Sequence, residues 1–217
     1  MVVLRKNKKR ETVHIEEEQL QEQKRPWWKE LLSYVWIIVF ACVTAMAVNR
    51  FVLINAEIPS ESMENLLNID DRIFGCRLSY VFEEPKRYDV VMFQYPVHED
   101  TIYIKRVIGL PGETVEIRDG HIYIDGAQTP IEEDYLPEKW TDGNDGYLFE
   151  VPEGCYLMLG DNRNVSEDAR YWAQCALDDG VAKNRVEAQK YTYVRKDQMI
   201  GRAILKYYPK FHLFLNI

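Results

Sequence analysis

The sequence predicts a mainly β domain that follows a single N-terminal transmembrane helix. The helix is indicated by a long uncharged apolar run at residues 31–48, and the β domain by short β-branched and aromatic segments after Asn55. Turn-forming residues separate these segments, as is typical of antiparallel sheets. We therefore expect an antiparallel β-sheet or barrel-like domain on a membrane anchor. A chain of 217 residues is long enough for both.

Residues 1–30 form the predicted cytosolic tail. They carry eight Lys and Arg against six Glu, and basic residues before a membrane span favour a cytoplasmic N-terminus. The anchor is predicted over residues 31–54, because its uncharged part meets the roughly 18–20 residues needed to cross a bilayer. Trp27 and Trp28 precede it, where interfacial aromatic residues are common.

Two other interpretations of the apolar run are weaker. A core helix of a soluble protein seldom supplies so long a stretch without a charge. A cleavable secretory signal would fit the Ala45-Met46-Ala47 pattern, but the preceding tail is long and contains acidic residues, unlike the short basic region of such signals. We therefore expect residues 55–217 to be a domain exported across the cytoplasmic membrane.

The charge, cysteine and histidine content limits the possible partners. The net charge is −8 and the part after residue 55 is strongly acidic, which argues against nucleic-acid binding. The four histidines are scattered without metal-site spacing, which argues against a zinc site. The serine–lysine chemistry described below needs no metal or cofactor, so none is expected. Cys42 falls in the anchor, whereas an exported disulfide is permitted for one pair among Cys76, Cys155 and Cys175.

Alternation of apolar and polar residues predicts the strands of the exported domain. Two of these strands, residues 114–118 and 121–125, are joined by Asp119-Gly120 and form a predicted hairpin. Residues 126–150 are predicted to be a loop excursion, and residues 178–190 carry a helical pattern that predicts a short surface helix. The predicted strands are residues 88–93, 101–104, 114–118, 121–125, 155–159 and 200–208.

Ser62 and Lys105 carry the candidate chemistry. Ser62 lies shortly after the anchor, and Lys105 interrupts an apolar, β-branched stretch. A serine hydroxyl is a poor nucleophile until a base removes its proton. A lysine can act as that base only if burial lowers its pKa from about 10.4 towards neutrality, and an apolar strand provides such burial. The two residues predict a membrane-held serine–lysine protease.

Several segments occur in the order found in one enzyme family. The chain resembles bacterial type I signal peptidases, which remove signal peptides from exported proteins, from the membrane span to about Tyr208. The matching segments are residues 59–63 (PSESM), 68–73 (NIDDRI), 103–112 (YIKRVIGLPG), 160–170 (GDNRNVSEDAR) and 201–203 (GRA).

The resemblance implies a role for each matching residue. Ser62 would be the nucleophile, Lys105 its general base, and the Ser60 hydroxyl an oxyanion-hole donor together with the Ser62 backbone N–H. Ser166 would orient Lys105. A supporting charge network is implied for Asp161, Asp168, Arg106 and Arg170. Shallow pockets for small substrate side chains are implied for Ile58, Ile104 and Leu67.

The chain departs from the family pattern at several positions. Glu61 stands where a small residue is usual, Asn65-Leu66 replaces Pro-Thr, Asp70 replaces glycine and Val165 replaces a polar residue. Residues 173–190 resemble an insertion after the last motif. No catalytic atom is lost, so these differences bear on substrate preference more than on activity.

The resemblance therefore implies cleavage of signal peptides after a small-x-small motif at the outer face of the cytoplasmic membrane. The implied partners are signal peptides of exported preproteins and membrane lipid. Two alternatives remain: a peptidase that matures one dedicated exported substrate, and an inactive membrane-tethered domain that binds secretion components.

Overall fold

The computed structural model describes residues 26–140 and 145–214. Most of the predicted cytosolic tail, residues 1–25, therefore lies outside the described residues. The chain divides into two compact units, residues 1–48 and 49–217. Each unit is described by itself.

The described part of the first unit is helical. Helix α1 (Trp27–Phe51) has 25 residues, and its most apolar stretch has a mean hydropathy of 2.3. At 1.5 Å per residue it is about 37 Å long, enough to cross the hydrocarbon core of a bilayer. None of its side chains is buried, and a helix that is apolar on all sides is stable only in a protein core or in lipid. The helix ends before Leu53, where the first strand begins.

The second unit consists mainly of antiparallel strands. Seven strands form the path β1-β2-β10-β3-β4-β8-β9 of the main sheet, with β11 added beside β10, and a second sheet has the order β6-β5-β7. The strands are β1 (Leu53–Glu57), β2 (Arg72–Cys76), β3 (Val90–Gln94), β4 (Ile102–Gly109), β5 (Thr114–Arg118), β6 (His121–Ile124), β7 (Tyr147–Glu150), β8 (Cys155–Leu159), β9 (Val194–Arg195), β10 (Met199–Tyr208) and β11 (His212–Leu213). The predicted mainly antiparallel β class is confirmed.

Three short helices accompany the strands: α2 (Ser79–Phe82), α3 (Ala169–Asp178) and α4 (Arg185–Ala188). The side chain of Asp168 caps α3 by accepting the backbone N–H of Arg170, and Trp172 and Ala176 on its inner face are fully buried. Burial of an aromatic side chain of this size stabilises the fold by roughly 1.5–3 kcal/mol.

Two hydrophobic clusters hold the unit together. The larger one lies between the sheets and α3 and includes Phe93 and Trp172. The smaller one contains Met63, Leu67 and Ile73, each with no exposed surface. Because Met63 directly follows Ser62, this second cluster fixes the candidate nucleophile segment to the main sheet.

The structure differs from the sequence-based expectations in two segments. Residues 126–150 end in a strand, β7, which pairs with β5 and buries Phe149. The helix expected within residues 178–190 is only the single turn α4, and the longer helix α3 begins earlier, at Ala169. The last motif and its expected insertion therefore share one helix.

The predicted hairpin at Asp119-Gly120 is confirmed, with Arg118 opposite His121. Both turn residues have positive φ, 52° and 69°, which is the conformation that this residue pair favours in two-residue hairpins. Cys76, Cys155 and Cys175 are free thiols, so none of the permitted disulfides is formed.

Candidate active site

Ser62 lies in a single 3₁₀ turn (Glu61–Met63) shortly after β1. Ser62 is 8% exposed, and the next residue, Met63, is fully buried. The hydroxyl oxygens of Ser60 and Ser62 are 3.2 Å apart and share a hydrogen bond. Ser60 has an extended backbone, with φ −141° and ψ 161°, and precedes the turn. The two predicted serines therefore lie side by side.

Lys105 lies in β4, where its backbone is opposite Val91 of β3. The residue is 4% exposed. Burial disfavours the ammonium form and lowers the pKa of Lys105 to about 8, although Asp168, Glu167 and Asp161 act in the opposite direction. An appreciable fraction of this side chain is therefore neutral near neutral pH. That is the property that a lysine needs to act as a base.

One cleft of about 460 Å³ contains both side chains. Its walls combine exposed aliphatic residues with two acidic ones and the two serines. The lining residues are Pro59, Ser60, Glu61, Ser62, Ile69, Thr101, Ile102, Tyr103, Ile104, Lys105, Val165 and Glu167.

The first half of β4 has an unpaired edge in this cleft. Residues 102–106 pair with β3 on one side, whereas β8 pairs with β4 only from Arg106 onwards. Among the described strands, none covers the other edge of residues 102–105, which also line the cleft. Unpaired N–H and C=O groups of a strand edge can bind an extended peptide as an added strand.

The last motif contacts the nucleophile segment directly at Gly160. A Cβ atom added to this glycine would lie 2.5 Å from the carbonyl oxygen of Ser62 and would overlap the Ser166 hydroxyl. The backbone N–H of Asn162 donates to the same Ser62 carbonyl over 3.1 Å. Only glycine permits this approach, so the residue type at position 160 follows from packing.

Ser166 lies next to Gly160, where a Cβ atom on the glycine would also meet its side chain. Its residue is 2% exposed, and its hydroxyl makes no hydrogen bond within the described residues. In the same part of the chain no hydrogen bond joins Lys105 to Ser62 or Ser166. Catalytic hydrogen bonds are often long in the absence of substrate and shorten only in the complex, so their absence does not exclude these residues as candidates.

The four charged residues predicted as supports form two buried ion pairs. Arg106 donates two hydrogen bonds to Asp161, of 2.8 and 2.6 Å, and both side chains are fully buried. Arg170 makes two similar bonds to Asp168, of 2.8 and 2.9 Å. The carboxylate of Asp168 also accepts the backbone N–H of Gly160 over 3.0 Å. Losing one partner of such a pair would leave an uncompensated buried charge.

The three predicted pocket residues occupy different places. Ile104 lines the cleft, whereas Ile58 and Leu67 belong to the hydrophobic cluster that also contains Met63. Leu67 has no exposed surface and Ile58 is 2% exposed. A substrate contact by either residue stays a prediction.

Sequence reasoning missed a third buried charged group near the last motif. Arg163 donates to Glu133 over 2.6 Å and to the backbone carbonyl of Gly160 over 2.9 Å. Arg163 belongs to a motif that the sequence identified. Its acidic partner lies in residues 126–150, thirty positions away, where the sequence shows only an acidic loop.

Comparison with known proteins decides the family. The family model described as signal peptidase, peptidase S26, matches residues 31–208. The chain belongs to this signal peptidase family. Signal peptidase I of Leptolyngbya laminosa is 34% identical over 188 residues, which cover 82% of this chain and 80% of the relative.

Other relatives carry similar names. Probable signal peptidase I-2 of Synechocystis sp. is 31% identical over 79% of this chain and 71% of its own. Signal peptidase IB of Staphylococcus aureus is 28% identical over 83% of this chain and 91% of its own length. A solved signal peptidase I from Enterococcus faecalis V583 is 32% identical, covers 55% of this chain and 97% of its own, and has a TM-score of 0.40.

Membership in the signal peptidase family confirms two predictions. The resemblance stated from the motifs is correct, and the enzyme class is that of the family's serine peptidases. Among the described residues this chain has one N-terminal apolar helix that is long enough to cross a membrane.

Proposed function

We propose that this member of the signal peptidase family cleaves signal peptides from exported preproteins after a small-x-small motif, with Ser62 as nucleophile and Lys105 as general base. One observation carries the proposal: a cleft bordered by an unpaired strand edge contains both Ser62 and a buried lysine. Burial lowers the pKa of that lysine to about 8.

The first chemical step is acylation. Neutral Lys105 accepts the proton of the Ser62 hydroxyl as its oxygen attacks the scissile carbonyl carbon. The tetrahedral oxyanion accepts hydrogen bonds from the Ser62 backbone N–H and the Ser60 hydroxyl, which lies 3.2 Å from the nucleophilic oxygen. Lys105 then gives its proton to the leaving amine as the C–N bond breaks.

Deacylation follows with the same residues. A water molecule attacks the ester carbonyl while Lys105 accepts one of its protons. Collapse of the second tetrahedral intermediate breaks the bond to the Ser62 oxygen, which recovers a proton from Lys105. The carboxylate product and the free hydroxyl are then released, and no cofactor is needed for any step.

The unpaired edge of residues 102–105 supports binding of the substrate as an extended strand. In that pose alternate side chains point into the cleft, because side chains alternate along a strand. Ile104 lies in the wall beside Lys105, and bulky walls leave room only for small substrate side chains. Alanine at the first and third positions before the cleaved bond fits this arrangement.

Ser166 is proposed to orient Lys105. Its buried hydroxyl lacks a partner within the described residues, and because an unsatisfied buried hydroxyl costs stability, a functional role would explain why it is kept. The Lys105 amine is a suitable partner once substrate closes the cleft. The ion pairs Arg106–Asp161 and Arg170–Asp168 are proposed to hold the last motif beside the lysine strand.

The proposed membrane arrangement has three parts: a cytosolic tail of residues 1–30, an anchor within residues 31–54 and an exported domain from residue 55. Helix α1 supports it by length and composition, and its contact would be with membrane lipid. Protease added to intact spheroplasts should digest the domain and spare an N-terminal tag. Protection of the C-terminal domain would reverse the orientation.

The test of function uses the detergent-solubilised full chain with several unrelated preproteins. Cleavage of most of them after small-x-small motifs, lost in Ser62→Ala, supports general processing. Cleavage of one alone would support a dedicated maturation peptidase, a second candidate favoured by the unusual Glu61 in the cleft wall. No cleavage of any would leave the chain as a tethered binding domain.

A further inference from the structure

Residues 131–140, here called the clamp loop, contact all three segments that carry the site. The sequence shows this stretch only as part of an acidic loop. In the structure its side chains and backbone reach the nucleophile segment, the lysine strand and the last motif. One residue, Tyr135, makes a contact with each.

The contacts of Tyr135 are specific. Its backbone carbonyl accepts the side-chain amide of Asn65 over 3.1 Å, three residues after Ser62. The guanidinium of Arg106, next to Lys105 in β4, lies 4.0 Å from the centre of its ring. Its hydroxyl accepts a hydrogen bond from Arg163 of the last motif over 3.1 Å and donates one to Glu133 over 2.7 Å.

Asn65 is one of the positions where the chain departs from the family pattern, and the structure gives a reason for its residue type. Its φ is 80°, in the left-handed region that asparagine tolerates better than most residues. This conformation places Asn65 in a turn from which its amide reaches Tyr135. The substitution is therefore matched to the clamp loop.

The ring of Tyr135 covers the Arg106–Asp161 pair. Both charged side chains are fully buried, and the aromatic face is a suitable cover for a planar guanidinium. Lys105 is adjacent in the chain, and the charged groups that act on it include Asp161. Tyr135 itself is not among the residues that line the cleft.

We propose that Tyr135 is a positioning residue of this peptidase: its backbone carbonyl holds the Ser62 turn through Asn65, and its side chain holds the Lys105 strand and the last motif through Arg106 and Arg163. The inference rests on the proposed function. We expect Tyr135 to affect kcat rather than KM, because its side chain contacts Arg106 and Arg163 and does not line the cleft.

The test compares three variants of the full chain in detergent, with a signal-peptide substrate. Tyr135→Leu removes the ring and hydroxyl, whereas Tyr135→Phe removes only the hydroxyl. Tyr123→Leu is the matched control, because Tyr123 makes a similar contact with Arg118, at 4.2 Å, on the hairpin of the second sheet. The measurements are kcat, KM, the pH profile of kcat/KM and the melting temperature.

Tyr135→Leu should lower kcat about tenfold, the scale of a lost desolvated cation–π contact, with KM nearly unchanged. The acid limb of its kcat/KM profile should move to higher pH. Without the Tyr135 ring over Arg106, water can reach the neighbouring Lys105, and hydration of the ammonium raises the pKa of this lysine. The charged groups that act on this lysine are Asp168, Glu167, Asp161 and Arg170, and the centre of the Tyr103 ring lies 5.6 Å from its amine; none of these is removed. Tyr135→Phe should retain activity within about threefold, and Tyr123→Leu should not change kcat.

Asn65→Gly gives a second, independent test. Glycine keeps the left-handed backbone but removes the amide that bonds to Tyr135, so the turn can form without its link to the clamp loop. We expect a kcat lower by about three- to tenfold, in keeping with one lost hydrogen bond, with an unchanged melting temperature. This variant tests the backbone link on its own and does so even if Tyr135→Leu does not fold.

Normal kcat and an unmoved acid limb in Tyr135→Leu would overturn the role of the side chain, and normal kcat in Asn65→Gly would overturn the role of the backbone link. An equal loss in Tyr123→Leu would overturn the inference as a whole. These outcomes are distinct from failure of the proposed function. In that case wild-type protein would not cleave the substrate, or Ser62→Ala would cleave it as well as wild type.

Discussion

The backbone N–H of Asn162 donates a hydrogen bond to the carbonyl oxygen of Ser62, although one hundred positions separate them. The bond joins the last motif of the family to its nucleophile segment. The bond satisfies the Ser62 carbonyl, which therefore needs no other hydrogen-bond partner. Long-range contacts of this kind bring separate motifs into one site.

The first prediction concerns Gly160. An alanine there would overlap the Ser166 hydroxyl and lie 2.5 Å from the Ser62 carbonyl oxygen. We expect Gly160→Ala to lower kcat at least tenfold and to destabilise the fold by about 1–3 kcal/mol, as overpacking does.

The control for this variant is Gly126→Ala. Gly126 has φ +69° but meets no atom within 4 Å, so alanine there adds backbone strain without a clash. Its kcat should equal that of wild type. Equal kcat for Gly160→Ala would mean that the contact with Ser62 does not matter for catalysis.

The second prediction concerns the two catalytic groups. Ser62→Ala and Lys105→Met should each abolish cleavage, and the double variant should be no worse, because in the proposed mechanism the two residues act as one proton-transfer unit. Both variants should remain folded and membrane-bound. Lys183→Met, which changes an exposed lysine, should cleave normally. Substantial cleavage by Lys105→Met would require a different base.

Ser60 provides a graded test of the oxyanion hole. Its hydroxyl lies 3.2 Å from that of Ser62, so it can donate to the developing oxyanion. Ser60→Ala should lower kcat by on the order of 10²–10³, the usual effect of losing one such donor. The measurement is kcat with a signal-peptide substrate at saturation. An unchanged kcat would leave Ser60 as a turn residue only.

The pH dependence of activity follows from the burial of Lys105. Because burial lowers the pKa of this lysine to about 8, the acid limb of kcat/KM should rise through one ionisation near that pH. The limb should be the same in the presence of a chelator. A limb still rising at pH 10, or activity lost to the chelator, would exclude the dyad.

The same burial makes stability depend on pH. The pKa of Lys105 is near 8 in the folded protein and about 10.4 in the unfolded chain, so the unfolded chain binds more protons between these values. The contribution of Lys105 to the free energy of unfolding should therefore rise by about 3 kcal/mol as the pH increases from 8 to 10.4. Well below pH 8 Lys105 is protonated in both states, so the penalty is complete and constant there.

This dependence is measured as a difference between wild type and Lys105→Met, so that other titrating groups cancel. Unfolding by urea at pH 7.5, 9 and 10.5 would give the three values needed. Lys105→Met should be the more stable protein at the lowest pH, and its advantage should shrink as the pH rises. A constant difference would show that Lys105 is not desolvated in the folded protein.

The features that the sequence by itself determined are local. An uncharged run long enough for a bilayer predicts α1, and a two-residue Asp-Gly turn between alternating strands predicts the β5–β6 hairpin, because both patterns act within a few residues. The motifs around Ser62, Lys105 and Ser166 indicate the family for the same reason: each is a short stretch whose residue types are tied to one chemistry.

Only the tertiary structure decided how deeply Lys105 is buried, why position 160 is glycine and what Tyr135 contacts. It also decided that β7 completes the second sheet, because the partner of β7 lies more than thirty residues away. Each of these features depends on segments that are distant in the chain and meet through sheet pairing and packing. The burial that lowers the pKa of Lys105 and the close approach of Gly160 to Ser62 exist only once these distant segments have packed together.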